Sequence, residues 1–202
     1  MKQNREYRSM ELKIENRQEG DEPSFFVEGY ASTYEPYKLY EYDGVDYYER
    51  IEPTAFDDAN MEDVVFRVDH EGPVYARTSA GSVELWTDEN GLGQRTDLGR
   101  TRKAKELFEE IKAGNYPQMS FAFVVAPDGD YFDRETNTRV ITRVAKVFDV
   151  SPVSFPANPT TSLSVSTRDY FNGVIEMEKA ERLEREKREA QKLKIKILSE
   201  VQ

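Results

Sequence analysis

The chain has 202 residues, enough for one domain with a sizeable core plus an appendage. Its net charge is -11, and residues 1–173 hold 32 acidic and 20 basic side chains, so this body disfavours sequence-independent nucleic-acid binding, because it repels phosphate groups. The absence of cysteine excludes thiol catalysis, disulfide bonds and thiolate metal sites, and we expect neither a signal peptide nor a membrane span, because no long apolar run occurs.

Short alternating patterns predict strands along most of the chain up to about residue 165. Asn90–Gly91 and Asp128–Gly129 supply turn residues that tolerate positive φ. The predicted strands are 10–14, 25–32, 64–68, 82–86, 119–125, 138–151, which could be broken, and 162–166.

One segment inside this β region has helical periodicity. Four apolar residues recur at the spacing i, i+3, i+4 and i+7 of one helix face: Ala104, Leu107, Phe108 and Ile111. Gly114 follows where a helix C′ residue is expected, so we predict an amphipathic helix over residues 101–114. A weaker pattern predicts a second helix over residues 53–60.

After about residue 173 the sequence becomes highly charged. Pairs in the favourable i, i+4 orientation predict a solvated helix: Glu178–Arg182, Glu181–Arg185 and Glu184–Arg188. Two uses of this helix stay open, an exposed tail without a partner and a docking or assembly helix.

His70 is the only histidine, so any mechanism that needs an imidazole must use it. By strand alternation His70 shares a face with Val64, Phe66 and Val68, and we expect it at the end of that strand. Asp69 points the other way, so it is not expected to orient the ring. A single histidine is also compatible with an incidental role.

Ser120 lies on a predicted strand with one bulky and one small face. The bulky face is expected in the core and contains Met119, Phe121, Phe123 and Val125. The other face begins with Ser120 and Ala122, and its small side chains leave space for a substrate to approach the Ser120 hydroxyl. The alternative is a small buried serine that bonds only backbone groups.

Asp149 stands between Phe148 and Val150 in an apolar strand. Burying a carboxylate there is costly unless it is paired. A histidine N–H is one suitable partner, and an arginine or backbone amides are others. Ser120, His70 and Asp149 together supply the groups of a nucleophile, a base and an orienting acid, but their spacing alone does not establish such a triad.

Six segments of the chain carry recognisable motifs: FFVEGYAST (25–33), ERIEPTAF (49–56), DH (69–70) with Arg77, TDENGLG (87–93), TRKAKELFEEIKAGNYPQMSFAF (101–123) and FDVSPVSFPANP (148–159). From residue 101 onwards the motifs follow a specific order: a helix, a glycine, Met-Ser-Phe, a hairpin, acid-Val-Ser and Pro-Ala-Asn-Pro. Over about residues 10–165 the chain thereby resembles the prohead maturation proteases of tailed bacteriophages, which are similar in fold to the herpesvirus assembly proteases. The Pro156–Pro159 turn matches the family and is expected to be structural.

Pattern and resemblance together predict an α+β, mainly β fold. We expect a closed or nearly closed antiparallel β-barrel with a few peripheral helices and a charged C-terminal helix. Residues 1–168 would form the prohead protease domain, and residues 169–202 the charged helical tail.

The resemblance implies that Ser120 is the nucleophile, His70 the base and Asp149 the acid of a serine endopeptidase. The family commonly has Glu where this chain has Asp149, which is one methylene shorter. Candidate oxyanion donors are the backbone N–H of Phe121 and the side chain of Arg143.

The resemblance also implies substrates and a location. The substrates would be the scaffolding region of the major capsid protein and the chain itself, cut inside the phage prohead in the bacterial host cytoplasm. Self-association is an open question. No cofactor, metal, nucleic acid or membrane is expected to take part.

Two other kinds of protein fit the same sequence. One is a catalytically silent scaffolding or assembly protein of the prohead. The other is a small β-rich binding module without an assembly role.

Overall fold

The structure is a computed structural model that describes residues 5–11, 24–154 and 165–200. Contacts divide the chain into two compact units, residues 1–164 and 165–202. Within the described residues the strands are β1 (Glu6–Glu11), β2 (Phe26–Thr33), β3 (Tyr37–Tyr42), β4 (Val45–Ile51), β5 (Val65–Val68), β6 (Glu71–Arg77), β7 (Val83–Thr87), β8 (Gly91–Asp97), β9 (Gln118–Val125), β10 (Asp130–Asp133), β11 (Thr138–Ile141) and β12 (Val144–Val153). A 3₁₀ helix (Thr78–Ala80) and two α-helices, α1 (Arg102–Lys112) and α2 (Val165–Glu200), complete them.

The strands form three sheets, in the orders β1-β9-β12-β5-β6, β10-β11-β4-β3 and β2-β8-β7. The prediction of a mainly β fold with a C-terminal helix is confirmed. Strand pairing is not antiparallel throughout, because β11 pairs with β4 and β12 with β5 in parallel. Hydrogen bonds do not close the sheets among the described residues, so the barrel stays a prediction, as does the division at residue 168.

The core contains an aromatic cluster centred on β9. Phe121 and Phe123 of β9 stack with ring centroids 4.6 Å apart, and Phe56 meets Phe121 edge-on at 6.2 Å. All three rings are buried, so burial of this aromatic cluster holds β9 in place.

Helix α1 confirms the predicted amphipathic segment. Its buried residues are Ala104, Leu107, Phe108 and Ile111. Thr101 caps the first turn, since its hydroxyl accepts from the Ala104 N–H at 3.1 Å, and Gly114 leaves the helix with a φ of 86°.

Residues 53–60 do not form the predicted helix. They make successive turns in which N–H groups bond three residues back, as Ala55 to Glu52 and Asp57 to Thr54. The Asn60 N–H then donates to the carbonyl of Ala145 in β12. The segment is short, and its last residue forms hydrogen bonds with β12 instead of the next turn of a helix.

The other predicted strands agree with the structure to different extents. Segments 25–32, 64–68, 82–86 and 119–125 are confirmed as β2, β5, β7 and β9, and 138–151 is broken into β11 and β12. Residues 12–14, 162–164 and the 156–159 turn lie outside the described residues, and Val165 and Ser166 are helical rather than strand.

The two predicted turn pairs behave differently. Asp128 adopts a φ of 53°, as predicted for a turn residue. Asn90 and Gly91 have no positive φ; Gly91 is required because an added Cβ would collide with the Ser32 carbonyl of β2.

Helix α2 begins at Val165, earlier than predicted, and its side chains from Lys179 to Lys194 are exposed. Of the predicted pairs, Glu184–Arg188 is present at 3.2 Å, while Arg182 bonds to Glu186 instead. No helix among the described residues is long and apolar enough to span a bilayer.

A buried ion network fixes β1. Arg8 of β1 bonds to Glu6 and to Glu49 of β4, and Arg139 of β11 bonds to the same two carboxylates. These four side chains are almost fully buried, and the network joins the five-stranded sheet to the four-stranded one. Because a buried charge without its partner is costly, the contacts specify where β1 lies.

The network predicts how stability depends on pH. Burial raises the pKa of Glu6, but the charge of Arg8 and the bonds and charge of Arg139 outweigh it and lower the pKa from 4.5 to about 2. A depressed carboxylate pKa contributes stability that is present above pH 4.5 and is lost as the pH falls to about 2. We expect this loss to be on the order of 3 kcal/mol.

The measurement is the free energy of unfolding by denaturant between these two pH values, for the wild type and Glu6→Gln. The variant should be less stable at neutral pH but should lose less stability on acidification. Glu106→Gln, on the exposed face of α1, is the matched control and should follow the wild type. Equal pH dependence in the wild type and Glu6→Gln would contradict the role of Glu6.

Candidate active site

His70 lies in the two-residue turn between β5 and β6, not at the end of a strand as predicted. Asp69 and His70 have φ values of 47° and 61°, as the two central residues of a type I′ hairpin require. Alternation along β5 therefore does not set the direction of the ring. A positive φ at a non-glycine residue costs on the order of 1 kcal/mol, which neighbouring contacts must offset.

Contacts on both sides hold this turn. The Asp69 N–H donates to the Pro152 carbonyl at 3.1 Å, and the Asp69 carboxylate accepts from the Ser154 N–H at 2.9 Å. Arg67 donates to the Gly72 carbonyl at 2.7 Å just after the turn. Asp69 thus anchors the hairpin to the end of β12, in agreement with the prediction that it does not orient the imidazole.

Ser120 lies on β9, a strand paired with β1 on one side and β12 on the other. Its cross-strand partners are Ser9 and Ser151. The expected bulky face is confirmed, but the opposite face is not open, because Ser120 is only 1% exposed and Ala122 is buried. Small side chains there allow neighbouring groups to close over the strand, and the His70 ring is one of them.

Asp149 lies on β12, opposite Ala122 of β9 and beside Val65 of β5. The pairing of β12 with β9 shifts register between Val147 and Asp149, a local irregularity of the kind that can re-aim a side chain. Asp149 is 1% exposed, so its carboxylate is buried. Among the alternatives considered from the sequence, its partner in the structure is the histidine.

Two hydrogen bonds join the three predicted residues. His70 Nδ1 lies 2.6 Å from Asp149 Oδ1, and His70 Nε2 lies 2.7 Å from Ser120 Oγ. An ionised carboxylate can only accept, so Nδ1 carries the ring proton and donates it to Asp149. Nε2 is then the acceptor for the Ser120 hydroxyl, and the serine proton faces a base.

Two further side chains contact this chain of groups and were not predicted. Ser151 donates to Asp149 Oδ1 at 2.7 Å, and the Tyr7 ring meets the His70 ring edge-on with centroids 4.5 Å apart. The position of Ser151 beside Asp149 could have been predicted from the sequence, because residues two apart on a strand share a face. Tyr7 was not, because its contact depends on the pairing of β1 with β9.

Neither oxyanion donor considered from the sequence is supported. Arg143 precedes Val144, which pairs with Val125 at the far end of the β9–β12 pair, about 17 Å along the strand from Ser120. Its side chain donates to the Pro127 carbonyl. Phe121 lies inside a strand paired on both sides, where backbone N–H groups bond to neighbouring strands.

Fold and geometry together resemble those of a known class of enzyme. A mainly β scaffold holds a serine hydroxyl, an imidazole and a buried carboxylate in one line of hydrogen bonds. This arrangement recurs on unrelated folds in serine hydrolases that work by acyl transfer.

Comparison with known proteins names the family. The family model described as caudovirus prohead serine protease matches residues 10–174, which include Ser120, His70 and Asp149. The chain therefore belongs to the family of caudovirus prohead serine proteases, as its sequence motifs predicted. Neither the curated proteins nor the solved structures searched contain a match to it.

Proposed function

We propose that this chain is a serine endopeptidase of the phage prohead in which Ser120 is the nucleophile, His70 the general base and Asp149 the orienting acid. The observation that carries the proposal is the pair of hydrogen bonds, 2.6 and 2.7 Å long, that joins the three side chains. Family membership supports proteolysis as the reaction.

The first half of the reaction forms an acyl-enzyme. Ser120 Oγ attacks the carbonyl carbon of the scissile peptide bond while His70 Nε2 takes the hydroxyl proton. The tetrahedral intermediate then breaks its C–N bond, and the imidazolium gives that proton to the leaving amine. Asp149 stays ionised throughout, because its role is to hold the ring tautomer and stabilise the imidazolium.

Water completes the reaction. It enters where the amine has left, gives one proton to His70 Nε2 and attacks the ester carbon. The bond to Ser120 Oγ breaks, and the same proton returns to the serine. The products are two shorter peptides and the original enzyme, so the cycle is balanced without a metal or an organic cofactor.

For substrates, we propose the scaffolding region of the major capsid protein and the chain itself, cut inside the prohead in the host cytoplasm. The acidic balance of residues 1–173 favours basic segments as substrates. Membership of a family of prohead proteases supports capsid proteins as the class of target.

Co-expression with the major capsid protein of the same phage tests this proposal. We expect a shortened capsid band on a gel and, by intact mass, fragments of the chain itself. A serine-reactive phosphonate added to the purified chain should stop peptide hydrolysis and add one adduct at Ser120. A full-length capsid protein, an intact chain and no adduct would instead favour a silent assembly protein.

A further inference from the structure

Ser151 is a buried hydroxyl at the centre of the candidate site. It lies two residues after Asp149 on β12, so both side chains leave the same face of the strand. In the register of the sheet it stands directly opposite Ser120. Its exposed fraction is 0%, so it is a fully enclosed part of the site.

We propose that Ser151 is a positioning residue that acts through Asp149. This inference rests on the proposed function, because it assigns Ser151 a part in the same reaction. The Ser151 hydroxyl donates to Asp149 Oδ1 at 2.7 Å, and this is the same oxygen that accepts from His70 Nδ1 at 2.6 Å. The two donors hold one oxygen between them.

The shared oxygen explains what the hydroxyl does. A carboxylate can rotate about its Cβ–Cγ bond, and a single bond from His70 leaves that rotation poorly restrained. A second donor fixed to the same strand places Oδ1 at one point. The imidazole that bonds to this point then directs Nε2 towards Ser120 Oγ, 2.7 Å away.

The hydroxyl also changes the electrostatics of the carboxylate. A hydrogen bond to the charged form of an acid stabilises that form and draws charge away from the atom that accepts it. Without Ser151, Asp149 Oδ1 would offer its charge to His70 alone. The imidazolium would then be more stable, and its titration would move to higher pH.

A purely structural role makes a different prediction. If Ser151 only satisfied its own buried hydroxyl, its loss would change the free energy of unfolding and leave the imidazole unaffected. Because His70 is the only histidine, its ring nitrogen signals in a ¹⁵N-histidine-labelled chain need no assignment. NMR of the full chain therefore separates the two roles.

The experiment compares the wild type with Ser151→Ala and Ser151→Cys. Cysteine has nearly the size of serine but is a weak donor, so it removes the bond with little change in packing. We expect both variants to raise the titration midpoint of His70. At a pH where the ring is neutral in all chains, kcat for a peptide substrate should fall roughly tenfold with KM unchanged.

Ser32→Ala is the matched control. Ser32 is also fully buried on a strand, but its hydroxyl bonds to the Thr33 carbonyl in another sheet. It should leave the His70 titration and kcat unchanged. Ser151→Thr keeps the hydroxyl and should restore both the midpoint and the rate towards wild type.

The proposal is overturned if both Ser151 variants titrate and turn over like an active wild type. A wild type that hydrolyses no substrate would sink the proposed function instead. In that case the NMR midpoints still decide whether Ser151 acts on His70 through Asp149. The two failures are thereby distinguishable.

Discussion

Ser120→Ala should lower the rate of peptide hydrolysis by about a million-fold, the loss typical of removing the nucleophile of a triad. Without Oγ no acyl-enzyme forms, and His70 Nε2 loses the hydroxyl group, 2.7 Å away, whose proton it would accept. In co-expression the capsid protein and the chain should both keep their full-length masses. Intact mass and a fluorogenic peptide assay measure the two effects.

The control must show that the loss is chemical and not structural. Ser120 and Ser32 are both buried strand serines, so Ser32→Ala imposes a similar change away from the site and should retain cleavage. Both variants should unfold within about 1 kcal/mol of the wild type, since each loses one buried hydroxyl. Continued self-cleavage by Ser120→Ala would place the nucleophile elsewhere.

Local periodicity was enough to predict β9, which carries Ser120, and the helix α1 that precedes it. The i, i+3, i+4, i+7 spacing of α1 and the alternation of β9 each identify residues of the core, and the structure agrees at Leu107, Phe108, Phe121 and Phe123; the opposite face of β9 is buried as well. Burial of these side chains drives both elements, so hydrophobic pattern and structure coincide.

Part of the four-stranded sheet was harder to predict because its strands also bury charged residues in polar contacts. Glu49 of β4 accepts hydrogen bonds from Tyr37 and from two arginines distant in sequence, Arg8 and Arg139. Isolated charged residues in a sequence indicate a solvated surface. Only the tertiary partners turn Glu49 into a fully buried residue, and no local pattern contains them.

The candidate triad was predicted as three residue identities but not as a geometry. His70 was placed by alternation, whereas the structure holds it in a turn with positive φ. The neighbouring turn residue Asp69 bonds to Pro152 of β12 and to Ser154 just after it. Such a conformation is specified by distant contacts. Alternation along β5 therefore could not give its direction.

Asp149→Asn should lower kcat by about 10⁴-fold, a loss second only to that of Ser120→Ala. An amide has the same size but carries no charge to stabilise the imidazolium. It can also present N–H to His70 Nδ1, which would move the ring proton to Nε2, where the Ser120 hydroxyl needs an acceptor. Steady-state kinetics and the ¹⁵N signals of His70 would report the rate and the tautomer together.

Asp149→Glu separates the charge of the acid from the length of its side chain. The carboxylate is retained, but the extra methylene moves it by about 1 Å in a site where Oδ1 already bonds at 2.6 and 2.7 Å. We expect kcat to fall about 10²-fold, between the wild type and Asp149→Asn, with the wild-type tautomer kept. If Asp149→Asn retained wild-type activity, the orienting acid would have to be another residue. If Asp149→Glu matched the wild type, the site formed by the β12 register shift and Ser151 would accept either acid.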